Sequence, residues 1–267
     1  MKRGSYAVIT GATSGIGAAY AKRLAADGYN LLITGRREQI IRPYAEDLES
    51  SYGVKVQLVL ADFTDPPQLQ SVIDRLQELD PIDFLVNNAG FGVRGGFFND
   101  SFENQQSMLQ VHIQALTRLT HCVAPKMIRR KRGTIINVSS IAGFFPAPES
   151  EIYCATKSYI NTFSESISIV LQNHNIKVQA VCPGLTHTDF HKDWDMDPSM
   201  LKGKGLVRWM RPEQVVDISL RALKKKRVVI VPGFFNRILC RVVESIPRRL
   251  YYRLAAATMA NRSADPW

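Results

Sequence analysis

In the stretch YCATK a phenol at Tyr153 and an ammonium at Lys157 stand four residues apart. On a helix, positions i and i+4 lie one above the other on one face, so both side chains could reach one reacting atom. The pair is a candidate proton donor. A free tyrosine titrates near ~10, so a phenol that works near neutrality needs a close cation and a site that excludes water. Both residue types are common on helix surfaces, and the pair needs independent support from the rest of the chain.

That support begins at TGATSGIG, Thr10 to Gly17, which directly follows the apolar run YAVIT and opens a helical pattern. Gly11, Gly15 and Gly17 allow a tight turn and bring a helix N-terminus close to an anion, where unpaired N–H groups and the helix dipole favour phosphate. With Thr13, Ser14 and Ile16 completing the loop, the segment reads as a pyrophosphate site.

The elements that must position these groups alternate along the chain. YAVIT, YNLLIT, KVQLVLAD, IDFLVNN, GTIINVSS, IKVQAVCPG and RVVIVPG are seven short runs rich in Val, Ile and Leu, bounded by turn residues and separated by helical patterns. The predicted helices include Gly15 to Asp27, Arg37 to Tyr52, Pro67 to Leu79, a long segment through Arg130, Tyr153 to Asn173 and Pro212 to Lys225. Apolar strands alternating with helices call for a doubly wound α/β fold, a parallel sheet with helices on both faces, which binds ligands beyond the carboxyl ends of its strands. A chain of 267 residues with 45% hydrophobic content can bury such a core.

Other classes find little support. The four cysteines are scattered without a CxxC or a histidine cluster, so no metal site is expected and a reducing, cytoplasmic setting fits. No apolar run reaches the ~18 residues of a membrane span. The net charge of +10 accompanies no nucleic-acid-binding motif.

TGxxxGxG at Thr10 to Gly17, NNAG at Asn87 to Gly90, Ser140 thirteen residues before Tyr153, YxxxK, and PG at Pro183 together resemble the short-chain dehydrogenase/reductase family in its compact form. The motifs occur in the expected order over most of the chain. The resemblance implies a Rossmann fold with a seven-stranded sheet in the order 3-2-1-4-5-6-7. It implies that Tyr153 is the general acid for carbonyl reduction, that Lys157 lowers its pKa and holds the nicotinamide ribose, and that Ser140 hydrogen-bonds the substrate oxygen. Of the two adjacent serines, the SIAG pattern and the thirteen-residue gap select Ser140, leaving Ser139 a structural role. The resemblance further implies that Asp62 and the Phe63 backbone meet the adenine, that Asn88, Ala89 and Gly90 line the adenosine side, that Pro183 and Gly184 bind the cofactor, and that Thr186 and Thr188 border the nicotinamide carboxamide. One position departs from the pattern. VHIQA puts His112 where the family usually has Asn, so His112 joins the catalytic candidates, either in a relay whose main-chain carbonyl survives the substitution or as a new acid or base; the alternative is a packed polar helix residue.

The cofactor form is legible after the second strand. A dinucleotide lacking the 2′-phosphate is usually held there by an acid, whereas ITGRRE offers Arg36 and Arg37, whose guanidinium groups suit a phosphate. NADP(H) is expected in preference to NADH. The segment 185–212 carries Phe190, Trp194, Met196, Met200, Leu201, Leu206, Trp209 and Met210, the place of the family's substrate lid, with Phe91, Val93, Phe144 and Phe145 expected across the cleft. Such a lining suits a lipophilic ketone or 3-oxoacyl compound.

Residues 221–253 hold ten basic side chains and one acid, Glu244. Residues 1–233 therefore read as the catalytic domain and 234–267 as a basic amphipathic extension in two helices split by Pro247, suited to an anionic membrane surface, an acidic acyl carrier or another subunit of a homodimer or homotetramer. A competing reading is a non-catalytic NADP(H)-binding sensor or assembly protein, for which the altered Asn slot and the long tail are the arguments. Intact Ser140, Tyr153 and Lys157 favour the enzyme.

Overall fold

The apolar runs become seven strands in the computed structural model, which describes residues 4–93, 96–191 and 208–260. They are β1 (Tyr6–Ile9), β2 (Asn30–Gly35), β3 (Val56–Leu60), β4 (Ile82–Asn87), β5 (Gly133–Val138), β6 (Ile176–Val181) and β7 (Val229–Ile230). All pair in parallel, in the order β3-β2-β1-β4-β5-β6-β7. The winding reverses between β1 and β4, and a doubly wound sheet opens its binding crevice at that point.

The described helices are α1 (Gly15–Ala26), α2 (Glu38–Tyr52), α3 (Pro66–Glu78), α4 (Gly96–Asn99), α5 (Phe102–Leu109), α6 (Leu116–Arg130), α7 (Glu151–Leu171), α8 (Pro212–Leu223), α9 (Phe234–Ser245) and α10 (Arg248–Ala260). Local chemistry sets several ends. α3 and α8 begin on prolines, whose missing N–H would have no intrahelical partner there. α2 stops at Gly53, which takes the left-handed backbone that ends many helices.

Burial on both faces explains why the strands are apolar throughout rather than alternating. Ala7, Ile9, Leu31 and Ile33 pack with Tyr20 and Leu24 of α1, Ile41 and Leu48 of α2 and Val215 of α8. The residues between them, Val8 and Leu32, pack on the other side with Val72 and Leu76 of α3 and Val123 and Met127 of α6. Each buried Leu or Ile side chain contributes about 1.5–3 kcal/mol, so the sheet is a rigid platform for the loops at its carboxyl edge.

Two features depart from simple helical expectation. The long helix before β5 is not uniform: Gln110–Ala115 form a π-helical turn between α5 and α6, with His112 buried within it. Such turns are frequent at functional sites. The second is α9, which packs onto the body rather than standing apart. Asn236 and Cys240 are buried, Asn236 Nδ2 donates to Pro232 O at 2.8 Å, and a side chain at Gly184 would come within 2.7 Å of Asn236. α10 is anchored by the Tyr251 hydroxyl, which donates to Pro146 O. None of the described helices is long and apolar enough to cross a membrane.

Candidate active site

The crevice is built from loops at the carboxyl ends of β1, β2, β3, β4, β5 and β6. Ser14 caps α1 with extended backbone and without a side-chain bond to the helix, so the first N–H groups of α1 lack intrahelical acceptors. Two glycines are dictated by close approach. Gly15 has φ +59° and a Cβ there would lie 2.6 Å from Thr188 Cγ2; at Gly17 a Cβ would lie 2.3 Å from Gly11 O. Thr10 locks this loop to the next one: its Oγ1 accepts from the N–H groups of Asn88 at 2.9 Å and Ala89 at 3.0 Å, while Asn88 Nδ2 donates to Thr10 O and Gly11 O.

The resulting cleft has a volume of about 830 Å³. Gly11, Thr13, Ser14, Gly15 and Ile16 form its floor at α1. Arg36, Arg37, Asp62 and Phe63 stand at one end; Asn88, Ala89 and Gly90 line the middle; Ser140, Tyr153, Lys157, Pro183, Gly184, Thr186 and Thr188 surround the other. Of the expected site residues, Gly17 and His112 do not line this cleft. Gly17 lies behind the loop against Gly11 and Asn88, and His112 lies behind Gly90. Unpaired helix N–H groups beside a glycine cradle, in a cleft of this length, fit the pyrophosphate of a dinucleotide.

The arginines do not stand free. Arg36 is paired with Asp62 Oδ2 at 3.3 Å, and Arg37 Nη2 donates to Ser14 Oγ at 3.1 Å and Asp189 Oδ2 at 2.9 Å. Burial works against charge on Asp62, but the Thr64 N–H and hydroxyl together with Arg36 outweigh it and hold the carboxyl below its usual value.

At the other end, α7 carries Tyr153 and Lys157 one turn apart, and Ser140 follows β5 as the cap of a short 3-10 turn, accepting from Ala142 N at 3.1 Å. Burial pushes the Tyr153 phenol up to about 12, against the effect of a hydrogen bond with Ser140. Lys157 Nζ donates to Val138 O at 3.1 Å and lies 5.5 Å from the Tyr153 ring centre, and burial pushes its ammonium down to about 8. The expected lowering of the phenol by Lys157 is not seen: burial dominates, and Ser140 is the group that offsets it. A raised phenol still suits an acid, because it carries its proton at neutral pH. Ser139 donates to Lys157 O at 2.9 Å and so fixes the backbone of α7.

His112 is enclosed. Its Nε2 accepts from Phe91 N at 3.1 Å, which leaves the ring proton on Nδ1, facing Thr156 Oγ1 at 3.0 Å; that hydroxyl in turn donates to Tyr153 O at 2.8 Å. Burial, with the charge of Lys157, holds its pKa well below the ordinary histidine value.

Sequence reasoning missed Thr10, Thr156 and Asp189 as site-organising residues. Thr10 carried a signal, since it sits in the glycine motif; Thr156 and Asp189 carried none, because His112 and Arg37, which they meet, are distant in sequence. Of the expected lid, Phe190 lines the cleft and stacks obliquely 5.8 Å from the Tyr153 ring, Trp209 stacks on His187 at 4.8 Å, and Met210 pairs with Thr186. Trp194, Met196, Met200, Leu201 and Leu206 lie outside the described residues. Across the cleft, Phe91 lines the wall, whereas Val93, Phe144 and Phe145 do not.

A family model described as short chain dehydrogenase matches residues 5–199. The chain is 38% identical over 186 residues to sulfoacetaldehyde reductase 2 of Chromohalobacter salexigens, covering 68% of this chain and 73% of that protein. It is 33% identical over 198 residues to very-long-chain 3-oxoacyl-CoA reductase-B of Danio rerio, covering 71% of this chain and 62% of that protein. Among solved structures it is similar to a short-chain dehydrogenase from Sphingobium yanoikuyae in complex with NADPH, with a TM-score of 0.80 and 31% identity over 98% of this chain and 96% of that one. The bulky-bulky ketone specific alcohol dehydrogenase from Comamonas testosteroni gives a TM-score of 0.76 and 29% identity over 98% and 95%. Matches of this extent lead to one conclusion: the chain belongs to the short-chain dehydrogenase/reductase family and is an oxidoreductase that uses a nicotinamide cofactor on a small-molecule substrate.

Proposed function

We propose that the protein reduces a lipophilic ketone or 3-oxoacyl compound to a secondary alcohol, reversibly, with NADPH as the preferred reductant. The observation that carries this reading is the composition of one continuous cleft. Arg36 and Arg37 stand at one end where an NAD-binding site would present an acid, and Phe91, Ile141, Ala142, Ala147, Leu185 and Phe190 form an apolar lining around Ser140 and Tyr153 at the other. The relatives named for 3-oxoacyl-CoA and bulky-bulky ketones favour the same substrate class.

A reduced nicotinamide, which Tyr153, Lys157, Thr186 and Thr188 would hold, would supply the hydride. Ser140 then holds the substrate carbonyl oxygen, and the neutral Tyr153 phenol delivers its proton to that oxygen as negative charge develops on it. The Lys157 ammonium offsets the phenolate left behind and would hold the nicotinamide ribose. Phe190 and the other apolar walls exclude water. In this reading His112 is a positioning residue: neutral, bonded through both nitrogens, it ties the loop at Phe91 to the turn of α7 that carries Tyr153.

We read the chain as a cytoplasmic homodimer or homotetramer with a catalytic body, 1–233, and a C-terminal extension that can meet an anionic membrane surface. Free thiols at all four cysteines agree with a reducing setting. Exposed Phe98, Phe102, Ile169 and Val170 on α4, α5 and α7 offer apolar surface for self-association. α9 and α10 expose Phe234, Val242, Leu250 and Leu254 among arginines, a combination suited to acyl chains and anionic headgroups. The deciding experiment is spectrophotometric NADPH oxidation over a panel of aryl ketones, aliphatic aldehydes, sulfoacetaldehyde and 3-oxoacyl thioesters. Turnover of bulky ketones or thioesters above that of small polar aldehydes is expected, and preference for sulfoacetaldehyde would overturn the lipophilic assignment.

A further inference from the structure

In the sheet order, β2 and β6 are separated by β1, β4 and β5, four strand spacings or ~19 Å apart. Arg37 follows β2 and Asp189 follows β6, yet their side chains meet at 2.9 Å. The two loops must therefore reach toward each other above the carboxyl ends of the intervening strands, where the dinucleotide cleft lies, and both residues line that cleft. Three consecutive residues of the β6 loop touch three different parts of the site. Thr188 rests on Gly15 of the glycine loop, Asp189 binds Arg37, which also holds Ser14, and Phe190 lies against Tyr153.

We propose that the Arg37–Asp189 pair is the clasp of a strap, residues 186–190, that closes over the phosphate portion of the bound dinucleotide and sets how quickly it leaves. The inference rests on the dinucleotide reading of the cleft and adds to it a residue, Asp189, that neither the glycine motif nor the arginine pair identifies. A carboxylate beside a phosphate site would be expected to repel the ligand. Here its charge is neutralised by Arg37, whose other hydrogen bond anchors it to Ser14 on the cleft floor. The pair is part exposed, with side-chain exposures of 41% and 30%, so its strength is that of a surface ion pair. A contact of that strength can open and close within a catalytic cycle.

The test measures dinucleotide binding without any carbonyl substrate, so it stands apart from the assignment of the reaction. NADPH and NADH dissociation rates are followed by stopped-flow fluorescence for the wild type and Asp189→Asn, and amide hydrogen exchange of residues 186–190 is compared in the nucleotide-free proteins. The strap predicts that Asp189→Asn speeds dissociation of both nucleotides by about two- to fivefold, the range an exposed ion pair can supply, and raises exchange in 186–190. Asp189→Glu should restore slow dissociation in part. If the carboxylate instead competed with the 2′-phosphate for Arg37, Asp189→Asn would slow NADPH release and leave NADH unchanged, and that result would overturn the proposal. Unchanged rates for both nucleotides would also overturn it, while failure of the wild type to bind either nucleotide would remove the cofactor reading itself.

Discussion

Tyr153 is the group whose proton the proposed reduction uses in each turnover, and its environment makes two separate outcomes measurable. Tyr153→Phe removes the hydroxyl and leaves Lys157 in place. kcat should fall by about 10²-fold or more while the NADPH Kd stays within a few-fold, because the lost interaction belongs to the transition state. Retention of more than a tenth of wild-type kcat would argue against Tyr153 as the acid. The second outcome is a pH profile. Burial lowers Lys157 to about 8, so the ammonium is present below that pH and is lost as pH rises through it. The phenol, raised to about 12, stays protonated across the same window. The kcat/KM for carbonyl reduction, which reports the free enzyme, is expected to decline above about pH 8; a profile level to pH 9.5 would show that the charge on Lys157 is not required.

At the scale of elements, the loop after β2 and the two terminal helices do different work from what their sequences alone suggest. Arg36 and Arg37 look equivalent as an RR pair, but Arg36 pairs with Asp62 and Arg37 spans to Ser14 and Asp189. Arg36→Ala is thus the cleaner probe of the 2′-phosphate, since Arg37 also holds the β6 loop. It should weaken NADPH by about 1.5 kcal/mol, the lower end for a charged hydrogen bond because Arg36 must first leave Asp62, and leave NADH nearly unchanged. Isothermal titration with both nucleotides measures it, and equal losses would count against a phosphate role. In the tail, α9 covers the region of Gly184 with Asn236, whereas α10 is held to the body through Tyr251. Deleting residues 248–267 should leave NADPH binding within about twofold, but deleting from 234 should lower the melting temperature by several degrees, because it uncovers Asn236 contacts and the site filled by Cys240.

On the scale of the whole molecule, the charge is lopsided: residues 221–253 carry ten of the 34 basic side chains and one of the 24 acids. A field of that kind draws the surface it covers toward anionic partners. Flotation with vesicles containing phosphatidylserine should recover the intact protein, and the chain ending at residue 247, without Arg248, Arg249, Arg253, Leu250 and Leu254, should float markedly less; neutral vesicles should recover neither. Equal flotation of the two proteins on anionic vesicles would place the contact outside α10. Light scattering of the same samples reports whether the exposed apolar residues of α4, α5 and α7 bring copies together, and a monomer at micromolar concentration would refute the homo-oligomer.

The glycine loop, the Tyr153 and Lys157 spacing and the seven apolar runs were legible in the chain because each depends on local rules, whereas Ser140 was implied only by the resemblance to a family. A phosphate loop needs glycines within one turn, a helical pair needs i and i+4, and a doubly covered strand needs consecutive apolar residues. By itself the sequence therefore determined the strand count, the covered sheet and the end of it that carries the site, and its resemblance to a family implied the strand order later seen. Only the tertiary structure decided which charges meet and which groups are dry. Asp189 finds Arg37, 152 residues away, only because the loops of β2 and β6 converge above the sheet. His112 sits against Phe91 and Thr156 because a π-helical turn and α7 close around it, and Tyr153 is raised rather than lowered because burial exceeds what Ser140 offsets. Ion pairing and desolvation depend on distance through space, and that quantity exists only after the chain has folded.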